Sequence, residues 1–221
     1  MARLADGIVC GPCWSRLALL PEPQCRRCGH PHPGPYRCRW CEPLPPFVRA
    51  VRSVAWVHRG TATALLHALK YDGWHRVAAG MAERMARLTW PPDVVSERAL
   101  VVPVPLAAAR RRERGYNQSE QLAGPLARRW GVALAPELLV RPRGSGSQTR
   151  LTPAQRMLNV ARAFRVPDEA RPALRGAHVV LVDDVVTTAA TLAACAAALH
   201  AGGARIVSCI TFGRAPALGD R

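Results

Sequence analysis

The chain has 221 residues, 49% hydrophobic and 21% charged, enough for one medium domain and a small appendage, and this excludes a disordered tail. Its 20 Pro and 17 Gly exclude a long helical bundle or coiled coil, and no apolar run approaches the roughly 20 residues of a membrane span. The formal charge is +16 and Lys70 is the single lysine among 31 Lys and Arg, so the expected partner is polyanionic, either nucleic acid or a phosphate-rich small molecule.

The opening stretch MARLADGIVCGPCW has neither the apolar run nor the cleavage site of a signal peptide, and a cytoplasmic protein without membrane insertion is expected. Up to Pro46 the chain holds six of its eight cysteines and shows little hydrophobic periodicity. The stiff run from Glu42 to Pro46 then gives way to alternating strand and helix patterns, so two domains are expected, 1–46 and 47–221. Cys10 and Cys13, Cys25 and Cys28, and Cys38 and Cys41 each place two thiols on one tight turn, from which both thiolates reach one tetrahedral Zn²⁺. Two such knuckles close one structural site. Cys25, Cys28, Cys38 and Cys41 have the tighter spacing, with Gly29 as the turn residue, and are assigned to it. A segment too small to bury a core would be folded by the metal itself. Cys10 and Cys13 are left over, and both metal binding and a redox pair stay open for them.

Beyond the boundary, a strand is expected over 51–58, a helix from Thr61 to about Lys70 and another over 74–88. After a short acidic turn, 99–104 reads as a buried parallel strand, followed by a basic turn and a helix over 117–130. A strand over 137–141 leads into the Gly/Ser-rich loop 143–147, and Thr152-Pro153 opens another helix. The last third reads as a βαβ unit: strand 178–182, an Ala-rich helix 188–201 ending at Gly202-Gly203, and strand 205–212. The alternation predicts an α/β fold, a parallel sheet with helices on both faces, with Cys195 and Cys209 as buried packing residues.

The most informative string runs from Leu181 to Thr191. A hydrophobic strand ends in Asp183 and Asp184, and the turn Val185-Val186-Thr187-Thr188-Ala189-Ala190-Thr191 opens a helix. Backbone N–H groups and Thr hydroxyls at a helix start surround a phosphate, and the helix dipole favours its charge. The two carboxylates are placed to accept hydrogen bonds from ribose hydroxyls, directly or through Mg²⁺. The bland alternative is an acidic strand end followed by a Thr N-cap. Arg110, Arg112 and Arg114 offer bidentate donors for phosphate oxygens, or form a solvated basic turn. Lys70 either answers its helix dipole or touches a ligand.

The Asp-Asp string resembles the phosphoribosyl pyrophosphate (PRPP) motif of type I phosphoribosyltransferases, with Ala189 where Gly is usual. An Ala is expected to be tolerated there if its backbone keeps an ordinary φ. The resemblance narrows to the ComF family, which joins a zinc ribbon to such a domain. It is carried by the CxxC knuckles, Leu69-Lys70-Tyr71-Asp72-Gly73, Val101 to Leu106, Arg110 to Gln118, Gln148-Thr149-Arg150-Leu151 with Arg156 and Asn159, and the Asp-Asp string. Members often carry four CxxC pairs; the first is missing here, as expected of a shortened start, and Ala107-Ala108 replace a common His-Pro. The resemblance implies a type I phosphoribosyltransferase-like fold binding Mg²⁺ and PRPP, a loop including Gln148, Thr149 and Arg150 that closes over the site, and a role in DNA uptake or DNA use beside uptake-machinery proteins. The expected activity is phosphoribosyl transfer to an unidentified acceptor. Two alternatives stand beside it. One is a non-catalytic PRPP or nucleotide sensor whose zinc segment binds single-stranded DNA through Trp14, Tyr36, Trp40 and arginines. The other is a zinc-ribbon scaffold with a degenerate pocket.

Overall fold

The computed structural model describes residues 9–32, 34, 38–58, 60–142 and 163–216. Five strands, β1 (Val48–Trp56), β2 (Arg98–Pro103), β3 (Ala133–Leu134), β4 (His178–Val186) and β5 (Ile206–Arg214), form one parallel sheet in the order β1-β5-β4-β2-β3. The near-continuous apolar runs of β4 and β5 belong to central strands covered on both faces. Alternate side chains go to opposite sides. Val179 and Leu181 pack with Leu174, Leu192, Cys195 and Leu199, whereas Val180 and Val182 pack with Leu69, Met81, Leu122 and Leu126. Helices α2 (Thr61–Tyr71), α3 (Val77–Ala86) and α6 (Gln118–Trp130) therefore cover one face. The other is covered by α7 (Arg171–Leu174) and α8 (Ala190–Ala201).

Several expected boundaries move for local reasons. The strand expected over 137–141 is not a sheet strand. Pro136–Leu138 is a 3-10 turn, Val140 makes only an isolated bridge to Arg165, and β3 stops at Leu134 just before Pro136, which has no N–H to donate. The helix expected from 74 begins at Val77, because Gly73 (φ +68°) reverses the chain and Trp74 to Arg76 form a turn. The acidic turn and the basic turn each contain a short helix, α4 (Pro92–Glu97) and α5 (Ala108–Arg114). Gly115, at φ +81°, supplies the left-handed residue that stops α5. Strand β4 runs through both aspartates to Val186, and α8 starts at Ala190 instead of 188.

The cysteine-rich segment wraps the outer edge of β1. Leu20 N–H donates to Val54 O (3.4 Å), Trp56 N–H to Ala18 O (2.7 Å) and Val51 N–H to Arg27 O (2.7 Å). Groups of an edge strand that would otherwise invite pairing with another chain are thereby satisfied. The short helix α1 (Gly11–Ser15) lies on the α3 side, where Trp14 covers Gly80, while Cys28, Cys38 and Leu44 join the opposite core.

The topology also fixes where a ligand crevice lies. From β2 the chain moves outward to β3, and from β4 it moves the other way to β5, so the direction reverses between β2 and β4. The crevice beyond the carboxyl ends of those two strands is the binding position in open α/β sheets.

Candidate functional site

Asp183 and Asp184 occupy this switch point and are only 8% and 5% exposed. Asp183 Oδ1 accepts hydrogen bonds from Ser119 Oγ (2.9 Å) and from the Asp184 N–H (2.9 Å). Burial, followed by the neighbouring Asp184 charge, outweighs those donors and pushes the Asp183 carboxyl up to about 8. Asp184 Oδ2 forms an ion pair with Lys70 Nζ. Lys70 is thus a site residue, a role its sequence context left undecided between a ligand contact and the helix dipole.

The supports of this pair come from the start of α6. Asn117 is the N-cap: its side-chain oxygen accepts from Ser119 N–H (3.1 Å), and its Nδ2 donates to Val104 O (3.0 Å), just past β2. One residue therefore ties the helix start to the neighbouring strand end and aims Ser119 at Asp183. Tyr116 donates its hydroxyl to the Leu69 carbonyl and so fastens the end of α2, with Lys70, over the same crevice. Ser119 was missed by the sequence reading; the available signal was its position two residues after a capping Asn.

A cavity of about 520 Å³ opens beside Lys70, lined by Tyr71, Arg110, Glu113, Arg114 and Tyr116. Arg110 and Arg114 are one helical turn apart and share a face of α5. Arg112, two positions away from each, is exposed and does not line the cavity, and Arg111 reaches Glu120 (3.2 and 3.4 Å) instead. Arg114 donates to Gln118 Oε1 (2.6 Å) and its guanidinium lies 5.0 Å from the Tyr71 ring centroid.

Past Asp184, Val185 and Val186 are still strand residues whose side chains join the two cores, leaving their backbone alone for the site. Thr187, Thr188 and Thr191 are exposed, and no side chain caps α8. Thr188 is therefore not the cap, and the first N–H groups of the helix remain available to an anion. Ala189 and Ala190 are half-buried. Ala189 has φ +62°, the one positive φ at a non-glycine among the described residues. The condition under which an Ala is tolerated here, an ordinary φ, is thus not met: the turn holds a left-handed residue, which costs an alanine roughly 1 kcal/mol. Residues 148–150, Arg156, Asn159 and Tyr36 lie outside the described residues.

The second constellation is the thiol cluster. The Sγ atoms of Cys25, Cys28, Cys38 and Cys41 all lie within 4.8 Å of one another, with Cys25–Cys41 at 3.5 Å and Cys28–Cys38 at 3.6 Å. A tetrahedron of thiolates about 2.3 Å from a central Zn²⁺ has edges of roughly 3.8 Å, so the four residues fit such an ion and leave it no open position. Burial opposes the Cys25 thiolate, but the N–H groups of Cys28 and Arg27 prevail and bring it down to about 7. Burial raises Cys28 and takes Cys41 up to about 11. The first knuckle is locked to the sheet. Arg27 donates to the carbonyls of Val48, Leu44 and Pro45, Arg214 donates to Cys28 O (2.5 Å), and a Cβ on Gly29 would fall 2.4 Å from Val51 O. Cys10 and Cys13 belong to no group of three or more potential metal ligands among the described residues. Cys195 and Cys209 are buried packing residues, and burial takes the Cys209 thiol up to about 12. Trp14 lies under Arg84 (3.5 Å) and Trp40 beside His30 (4.6 Å), so both rings already have intramolecular partners.

A parallel sheet with two acids and a hydroxyl-rich turn at its switch point defines a phosphoribosyltransferase-type domain, and residues 95–220 match the phosphoribosyl transferase domain family. The DNA utilization protein YhgH of Salmonella typhi is 33% identical over 211 residues, 90% of this chain and 87% of its own. Competence protein ComFC of Bacillus subtilis is 27% identical over 214 residues, 94% and 84% of the two chains. Among solved structures, a glutamine PRPP amidotransferase from B. subtilis is similar at 20% identity over 66% of this chain and 30% of its own, with a TM-score of 0.46. The chain belongs to the ComF family. No helix among the described residues is long and apolar enough to cross a membrane.

Proposed function

We propose that the chain binds PRPP with Mg²⁺ in the crevice between β2 and β4 and transfers its phosphoribosyl group to an acceptor, in the cytoplasm and in the service of DNA utilisation. The observation that carries this reading is the Asp183–Asp184 pair, held by Ser119 and Lys70 beside both a basic cavity and the uncapped start of α8. Asp183 and Asp184 take the ribose hydroxyls. The α8 N–H groups with Thr187, Thr188 and Thr191 take the 5′-phosphate, and Arg110 and Arg114, which line the cavity beside Lys70, donate to the pyrophosphate oxygens. Mg²⁺, a hard cation suited to carboxylate and phosphate oxygens, would neutralise leaving-group charge when bound. An acceptor attacks C1 of the ribose as its bond to pyrophosphate breaks, and both electrons of that bond leave with the pyrophosphate. The segment 1–46 is read as a zinc ribbon in which Cys25, Cys28, Cys38 and Cys41 hold a structural Zn²⁺, and 47–221 as the transferase-like domain.

Calorimetric titration with PRPP, with and without Mg²⁺ and with Asp184→Asn as control, tests the binding. Micromolar, Mg²⁺-dependent binding that is lost in the variant is expected; a folded, zinc-loaded protein that gives no heat overturns the reading. A second reading, a zinc-ribbon scaffold with a degenerate pocket, is favoured by the left-handed Ala189 and its methyl in the phosphate turn. It predicts no PRPP binding by the folded protein, whereas a sensor without turnover predicts binding without acceptor-dependent pyrophosphate release. Single-stranded DNA as a partner would rest on the arginine excess, with an affinity that falls steeply with salt.

A further inference from the structure

One side chain joins the two halves of the site. Lys70 pairs with Asp184 on one side and lines the basic cavity with Arg110 and Arg114 on the other. It is the chain's single lysine, in a protein that uses arginine at all its other cationic positions. The two cations differ in kind. Guanidinium is a planar fork suited to one fixed bidentate geometry, whereas an ammonium is a point charge on a flexible stem with three rotatable donors. The base of that stem is anchored: Leu69 is fully buried, and its carbonyl accepts the Tyr116 hydroxyl. The Lys70 side chain is 23% exposed and lines the cavity, whereas its Asp184 partner is only 7% exposed. A phosphorylated sugar entering here brings several negative charges towards the buried Asp183 and Asp184 carboxyl groups. It also asks Asp184 to accept from ribose on the oxygen that now holds the ammonium.

We propose that Lys70 is a partner-exchanging counterion: its ammonium leaves Asp184 for the phosphate oxygens of the incoming phosphorylated sugar, freeing the carboxylate for the ribose. The exchange rests on the reading that the crevice takes such a sugar. It makes Lys70 a residue that touches substrate, and it couples carboxylate release to anion arrival. Nothing covalent changes. The ammonium keeps its proton throughout, and one ion pair to phosphate together with a hydrogen bond from ribose to Asp184 replaces the single Lys70–Asp184 pair.

The single lysine makes the exchange observable. Reductive ¹³C-methylation preserves the charge and yields one lysine dimethylammonium resonance, which Lys70→Arg identifies by its disappearance. This resonance is expected to move on titration with Mg²⁺ and PRPP and with inorganic pyrophosphate. In Asp184→Asn it is expected to be displaced before any ligand is added. On unmodified protein, Lys70→Gln should weaken PRPP binding by about tenfold or more in calorimetry, the scale of a lost charge-assisted hydrogen bond. PRPP that saturates the protein by calorimetry while the resonance stays fixed overturns the exchange and leaves PRPP binding intact. So does wild-type affinity in Lys70→Gln. A wild-type protein that gives neither heat nor resonance shift overturns the binding reading itself, and the exchange with it.

Discussion

Ser119 Oγ donates to Asp183 Oδ1 at 2.9 Å across 64 positions of chain, joining the first turn of α6 to the carboxyl end of β4. Both residues are buried, so Ser119→Ala removes a donor that water cannot replace. A loss of about 1–3 kcal/mol in stability is expected. Thermal denaturation should show it as a lowered Tm, and calorimetry as weaker PRPP binding. An unchanged Tm and affinity would show that the Asp184 N–H alone is sufficient for Asp183.

Asp183 also sets a pH dependence. Its carboxyl rises from 3.8 to about 8, chiefly through burial, so the folded state keeps a proton that the unfolded chain releases. The contribution to stability is complete below pH 3.8, falls as pH rises between 3.8 and about 8, and levels off above that. Asp183→Asn removes this dependence. Denaturant unfolding across the interval should show the variant gaining on the wild type as pH rises; a constant difference would mean that Asp183 is ionised throughout.

Ala189 sits at φ +62° with no compensating side-chain hydrogen bond. Ala189→Gly is expected to stabilise the fold by roughly 0.5–1 kcal/mol: the relieved left-handed strain outweighs the entropy glycine adds to the unfolded chain. For a chain of this size that is about 1–4 °C in Tm. PRPP affinity should rise or hold. A lower Tm would indicate that the methyl's packing matters more than the backbone.

The thiol cluster and the β1 edge are predicted to fail together, because residues beside the knuckles supply the hydrogen bonds that cover the strand. Chelation of the metal should lower Tm and promote association through the uncovered edge, as read by light scattering. Gly29→Ala should do the same with the metal still present, since its Cβ would meet Val51 O at 2.4 Å and its φ is +66°. The expected cost is about 2 kcal/mol or more. Cobalt(II) binding by the purified protein, read from its thiolate charge-transfer absorption, checks the ligand set: loss in Cys28→Ser and retention in Cys10→Ser is expected.

What the sequence determined by itself was local. The knuckle spacing brought Cys25 and Cys28, and Cys38 and Cys41, within reach of one ion, and the apolar runs of β4 and β5 announced central parallel strands. The Asp-Asp string likewise announced a strand followed by a turn and a helix, because each signal depends on neighbours a few residues apart, although β4 continues through both aspartates to Val186. Tertiary structure decided the rest. Lys70 and Ser119 reach the aspartates only after α2 and α6 have packed across one face of the sheet, and no periodicity records which helix end meets which strand end. The left-handed Ala189 follows from where β4 ends and α8 begins, a constraint set by packing on both sides that overrides alanine's own preference. The role of the cysteine-rich segment as the cover of β1 was equally hidden, because an edge exists only once the strand order is known.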